Sequence, residues 1–397
     1  MAVSFRTLGL SAAALVTAAL AWRDTAIEYW SGDAPQSAPA MVADAPRLML
    51  ARLDPTLLFG VAQRSDALRV MATAQQVLRH DPLEASALSQ IALASAVLGH
   101  GGMKARMRLA ERISRRDRVS QGVLLSLSAA ENDYPATFAH LDKALTVSPD
   151  TAEPLFKTFV PMLGDPAARR SLVRHAGRPW FFSFLSVAVD ESADPRQVAA
   201  LWLEARPKLQ PQQGWLLQQL LRRLVDGGHG ATARDLAIRA GGARPASLGE
   251  FAFTPGSTQP ALAPLTWLFN SNEDIETRFA ADTGLVAEVM PGKSAMVMQR
   301  VTQLRPGRYE LQQEVGTLEG RAPSLEWQLG CRTGALLKTV WRQPVPIESK
   351  QIRRAAVVNI PTNCGDQVWQ LFTLAQDDQM PAKFRIGSVD LRPLPVD

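Results

Sequence analysis

The stretch LRPGRYELQQEV, Leu304–Val315, decides the fold. Pro306-Gly307 is a turn signal, and behind it Tyr309, Leu311, Gln313 and Val315 alternate with Arg308, Glu310, Gln312 and Glu314. Side chains on a strand point to opposite faces with a period of two, so this alternation describes a strand with one buried and one wet side. Alternation is also clear in the set Val368, Gln370, Phe372 and Leu374. Around these two segments lie further short runs rich in β-branched and aromatic residues: 265–269, 275–280, 285–290, 295–304, 324–331, 336–341, 355–360 and 384–393. Pro/Gly turns separate them, and that many short strands predicts a two-sheet sandwich or jelly roll over 263–397.

Upstream the texture is different. From about 47 to 242 the apolar residues recur at helical spacing, interrupted by Gly, Asp-Pro or Ser-Pro, which predicts a helical domain. The fold class expected is therefore multidomain α + β, an α-helical repeat array followed by an all-β sandwich. Residues 243–262 (ARPASLGEFAFTPGSTQPAL) read as a linker, so the two parts are expected to fold separately.

The helical part repeats itself. VMATAQQVLRHDP (70–82) and TFAHLDKALTVSP (137–149) align without a gap, and ARMRLAERISRRD (105–117) fills the slot between them. Ala74, Ala92 and Ala144 stand where helices would approach closely, with Leu78, Leu88, Leu109 and Leu141 filling gaps. These positions resemble the tetratricopeptide repeat, whose period is about 34 residues. The resemblance covers roughly 50–150, with a degenerate copy near 215–242. It implies a surface for another protein, with Gln90, Ser95 and Ser126 as the partner-facing candidates because they interrupt apolar or Ala-rich helices. Gly99-His100-Gly101-Gly102 and Gly227-Gly228-His229-Gly230 read as turns, glycine supplying positive φ.

In the β part, LRPGRYELQQEV and the distant IGSVDLRP (386–393) resemble jelly-roll modules of the carbohydrate-binding class. That resemblance implies polysaccharide as a ligand. Trp267 and Trp341 are the glycan-contact candidates, since a flat indole can stack against the C–H face of a sugar ring.

The chemistry of the composition is mostly exclusion. The chain has 397 residues, 46% hydrophobic and 20% charged, and a net charge of +5. That excess forms no dense basic stripe of the kind a nucleic-acid binder needs. Its strongest local concentration, Arg108, Arg112, Arg115 and Arg116, is a candidate patch for an acidic partner. The sequence offers no metal-ligand spacing, no nucleophile elbow, no phosphate loop and no dinucleotide fingerprint. The β part holds no histidine, which removes the usual general base. No catalytic residue, cofactor or metal is expected.

Two cysteines, Cys331 and Cys364, predict a disulfide if the chain reaches an oxidising compartment. The N-terminus supports export: Arg6 precedes an apolar run from Leu8 to Trp22, and Ala19-Leu20-Ala21 fits a signal-peptidase site. Ile27, Tyr29 and Trp30 look like residues flanking an anchor. Residues 1–30 are therefore read as an anchor, or as a signal peptide cut between Ala21 and Trp22, and 31–46 as a tether. Either way the expected location is the periplasm, tethered to the inner membrane in the first case. The leading functional expectation is a non-enzymatic envelope scaffold that meets other proteins through its repeats, in polysaccharide assembly or export. The alternative is a glycan-binding module on a helical spacer, and a degenerate glycan-active enzyme ranks behind both.

Overall fold

The computed structural model describes residues 35–39, 45–52, 63–208, 213–253, 259–280, 284–319, 324–347, 352–374 and 380–395. The expected anchor, and all of the tether except Pro35–Pro39, Ala45 and Pro46, lie outside them. Among the described residues no helix is long and apolar enough to cross a membrane. The chain forms two compact units that divide between Ala152 and Glu153.

The first unit is helical: α1 (Pro46–Ala51), α2 (Arg64–His80), α3 (Ala85–Val97), α4 (Met103–Ile113), α5 (Arg118–Ala130) and α6 (Tyr134–Val147). Asp117 and Asp133 cap α5 and α6 by accepting the Ser120 and Ala136 amide N–H groups, which satisfies donors a helix start leaves orphaned. Small residues let the helices close up. Ala74, Val77 and Ala87 cluster with Leu50, and Ala92 packs with Met107 and Leu124. Leu109 does not fill a gap as expected; α4 packs through Met107 and Ala110 and leaves Leu109 exposed.

The second unit begins with a helical layer: α7 (Ala152–Phe159), whose first residue is the last of the first unit, α8 (Pro166–Val173), α9 (Pro179–Glu191), α10 (Pro195–Ala205), α11 (Gly214–Asp226), α12 (Gly230–Arg239) and α13 (Pro245–Gly249). Its densest apolar stripe is on α11, where Leu216, Leu217, Leu220, Leu221, Leu224 and Val225 are buried at the helical spacing of one apolar face.

The layer continues into an antiparallel sandwich of two five-stranded sheets. The strands are β1 (Leu268–Phe269), β2 (Ile275–Ala280), β3 (Gly284–Val289), β4 (Ala295–Thr302), β5 (Gly307–Glu319), β6 (Ser324–Thr333), β7 (Leu336–Val345), β8 (Ile352–Ile360), β9 (Asp366–Leu374) and β10 (Ala382–Pro393). One sheet runs β1-β4-β9-β6-β7 and the other β2-β3-β10-β5-β8. Each of the ten runs expected from the sequence is one of these strands. Tyr309, Leu311 and Val315 face the core together with Trp327, Leu329, Trp369, Leu371, Phe384 and Ile386. Gln313 is the polar member of that inward set, and its Oε1 accepts the Trp327 indole N–H at 2.6 Å, so neither buried group lacks a partner. Cys331 on β6 is bonded to Cys364, just ahead of β9, with Cα atoms 4.9 Å apart.

The expected linker is a structural part of this unit rather than a spacer. It contains α13, and Phe251 and Phe253 lie in the sandwich core. The Phe253 amide donates to the Val389 carbonyl of β10 at 2.8 Å, and its ring is 5.7 Å from that of Phe269. The division expected at 243–262 is thus replaced by one at 152/153. The reason is aromatic burial plus the ion pairs described next.

Candidate functional site

The sheet β1-β4-β9-β6-β7 turns Met298, Trp327, Leu329, Trp369 and Leu371 inward. The residues between them therefore make the outer face, and strand register sets them in rows. One row crosses all five strands: Leu268, Gln299, Gln370, Gln328 and Arg342. Gln370 donates through Nε2 to Gln299 Oε1 at 2.9 Å, and Gln328 donates to Glu326 Oε1 at 2.7 Å. The next row is Met296, Phe372, Glu326 and Pro344. Four spacings of roughly 4.8 Å make the amide row about 19 Å long. Gln299, Gln328, Gln370 and Phe372 are half-buried, and Arg342 is exposed. The result is a shallow polar floor carrying side-chain amides, one carboxylate, one guanidinium and one aromatic ring. An amide both donates and accepts, so such a floor suits a ligand dense in hydroxyl groups.

On the other side of the amide row stand Val301 and Val368, paired in register and each 1% exposed. Beside them lies Gly330, where a Cβ would fall 2.6 Å from Leu337 Cδ1. One register step further, Asp366 and Arg332 face each other, and here the helical layer takes hold. Arg234 of α12 donates to Asp366 Oδ1 at 2.6 Å, and Gln303 donates to the same oxygen at 2.9 Å. Arg332 donates to the Asp226 carbonyl at 2.7 Å. Burial outweighs the carboxylate's help and lowers the Arg234 pKa from its ordinary value.

A second buried cation holds the unit from within. Arg300, on the inner side of β4, lies 5.7 Å from the centre of the Trp267 ring and donates to the Ser247 carbonyl at 3.1 Å. Burial pushes its pKa down to about 10. Among the described residues no group of three or more His, Cys, Asp or Glu is placed to hold a metal.

The candidates named from sequence fall elsewhere. Trp267 is 2% exposed and its ring meets Phe251, Phe253 and Trp327 in the core, so it cannot stack on a sugar. Trp341 is half-buried and packs toward Trp369 on the inner side. Ser95 is buried among the small residues of α3 and presents no surface. Gln90 is half-buried; Ser126 is exposed, with its hydroxyl donating back to the Gly122 carbonyl of its own helix. Arg108, Arg112, Arg115 and Arg116 are all exposed. Sequence reasoning missed Gln299, Gln328 and Gln370. The available signal was the polar interruption of three strands at one register.

The sequence matches no family model and no curated protein. Solved structures similar to part of the chain include one described as "CBM4 structure and function", 15% identical, covering 28% of this chain and 83% of that one, with a TM-score of 0.22. The xylan-binding domain of a Paenibacillus barcinonensis protein is 11% identical and covers 33% and 87%, with a TM-score of 0.25. The N-terminal cellulose-binding domain of Cellulomonas fimi β-1,4-glucanase C is 13% identical and covers 34% and 93%, with a TM-score of 0.25.

Proposed function

We propose that the chain is a glycan-binding protein whose ligand lies on the outer face of the sheet β1-β4-β9-β6-β7. The observation that carries this reading is the row Gln299–Gln370–Gln328–Arg342, with Phe372 beside it. Hydroxyl-rich ligands need donors and acceptors at regular spacing, and cross-strand amides supply both every 4.8 Å or so. Phe372 adds a ring for the C–H face of a sugar. The helical unit is read as a tetratricopeptide-like spacer or protein contact: α3 and α5 start at Ala85 and Arg118, a spacing close to that repeat's period. The apolar run Leu8–Trp22 and the Cys331–Cys364 bond support an exported, envelope-facing protein.

The test is binding of the full chain to a glycan array, followed by titration calorimetry on the best ligand. Gln370→Ala and Phe372→Ala should each weaken binding roughly tenfold, the effect of losing one hydrogen bond or ring contact. Gln312→Ala, on the outer face of the opposite sheet, should leave it unchanged. Binding that ignores Gln370 and Phe372 but falls with Gln312 would move the site to the other sheet.

A further inference from the structure

We infer that the helical hairpin of α11 and α12 walls one side of this floor, and that the site rejects a polysaccharide carrying substituents on both edges. The inference rests on the glycan reading above and adds which residues bound the site and what they exclude.

The floor is not evenly open. Val301 and Val368 point outward, because Arg300 and Thr302 on β4 and Trp369 and Leu371 on β9 point in. Outward valines on a bare sheet face would be wet, yet both are 1% exposed. The outer face is therefore covered at that row, and the row beyond it is the one the helices grip. Arg234 and Asp226 bind Asp366 and Arg332 there. The turn between α11 and α12 also abuts the turn between β6 and β7: a Cβ on Gly228 would lie 2.2 Å from the Gly334 carbonyl oxygen, and Gly228 has φ +77°. Another on Gly230 would lie 2.2 Å from Asp366 Oδ2. Backbone approach this close leaves no room for water or ligand between hairpin and sheet.

Val368 and Gln370 are two residues apart on one strand, about 7 Å. The covered zone thus begins immediately beside the amide row. A polymer lying along the strands would run into the hairpin, whereas one lying along the amide row keeps the hairpin on one flank. Its opposite flank is the row of Met296, Phe372 and Glu326, all half-buried, with Pro344 exposed. Branches on that flank meet this partly exposed row, and branches on the other meet the buried valines and the hairpin. Arg234 is a positioning residue here: it holds the wall through Asp366 and touches no ligand.

The experiment uses the full chain on an array of linear oligosaccharides and their counterparts substituted on one or on both edges. Wild type should bind the linear and one-edge forms and reject the two-edge forms by tenfold or more. Arg234→Ala and Gly228→Ala should release the hairpin, weaken linear ligands several-fold and narrow the gap to two-edge forms. Arg234→Lys, which can still pair with Asp366, should restore the wild-type profile. Circular dichroism identifies any variant that fails to fold; if Gly228→Ala does, the Arg234 pair decides. The wall is overturned if wild type accepts two-edge forms as well as linear ones. It is also overturned if Arg234→Ala leaves the profile intact while Gln370→Ala abolishes binding, and in both cases the glycan reading survives. No bound feature at all overturns both.

Discussion

Arg234 and Asp366 are 132 positions apart in the chain, and their side chains meet at 2.6 Å. Both are largely buried, with side-chain exposures of 17% and 9%. The pair joins α12 to the first residue of β9, so the helical layer and the sandwich form one folded unit.

Removing one partner of a buried pair leaves the other charge desolvated, at a cost of about 3 kcal/mol. Arg234→Ala should therefore lower the thermal midpoint of the second unit by roughly 6–12 °C, given its size. Calorimetry should show that loss in one transition only, with the transition of the first unit unmoved.

The disulfide reinforces the same place. Cys331 precedes Arg332, and Cys364 stands two residues before Asp366. Closing a loop of 33 residues stabilises by about 3–4 kcal/mol on the chain-entropy model. Adding reductant, or the double change Cys331→Ser with Cys364→Ser, should lower the denaturant midpoint of the second unit by an equivalent amount. An unchanged midpoint in reductant would mean that the bond contributes nothing to folding.

A pH effect belongs to the first unit. His140 Nδ1 lies 3.0 Å from Gln121 Oε1 and 3.6 Å from Glu111, with Lys143 bonded to Glu111 and with Arg108 and Asp133 near. Burial lowers the His140 pKa below its ordinary 6.5, the nearby positive charges adding to it. The unfolded chain then takes up the proton first as pH falls, so stability rises with pH across that window and is lost going down from 6.5. Glu111 acts in the same direction at lower pH. Burial would raise its pKa, but the Lys143 hydrogen bond and the charges of His140 and Lys143 together hold it below 4.5. Its contribution is present above the unfolded value and lost as pH falls. Unfolding of the full chain between pH 7 and 5 should show the first-unit midpoint declining, and His140→Gln should flatten that decline.

The ten strands and the cysteine pair were legible because each depends on local signals: period-two alternation, Pro/Gly turns and two thiols near strand ends. On β9 the leucine two residues from Trp369 points that ring inward, but alternation alone points both ways. Val368, Phe372 and Leu374 make one side apolar, and Trp369 and Leu371 do the same for the other, so alternation alone leaves the inward set undecided. Only the opposite sheet, with Leu311 and Phe384 packed into the same core, settles it. Trp267 carries a related ambiguity, since a tryptophan at a domain entrance looks exposed until Phe251 and Phe253 are placed against it. Those two phenylalanines sit in a segment rich in Ala, Pro, Gly, Ser and Thr and too short to show any period. Nothing local in it reveals that it feeds a core.

The same phenylalanines fix where the protein can be cut. Phe253 is fully buried and Phe251 nearly so, and both rings pack on Trp267. Losing a buried aromatic costs about 3–5 kcal/mol each, which together matches the whole stability of a typical domain. A fragment of residues 263–397 should therefore be insoluble or show no cooperative unfolding, although it holds all ten strands. A fragment of 244–397 regains both rings and the Ser247 carbonyl that Arg300 binds. It should fold, but with Asp366 and Arg332 exposed and a lower midpoint than 153–397. Only 153–397 should unfold at the midpoint of the second transition of the full chain. Equal midpoints for 263–397 and 153–397 would mean that the helical layer and the two phenylalanines add no stability to the sandwich.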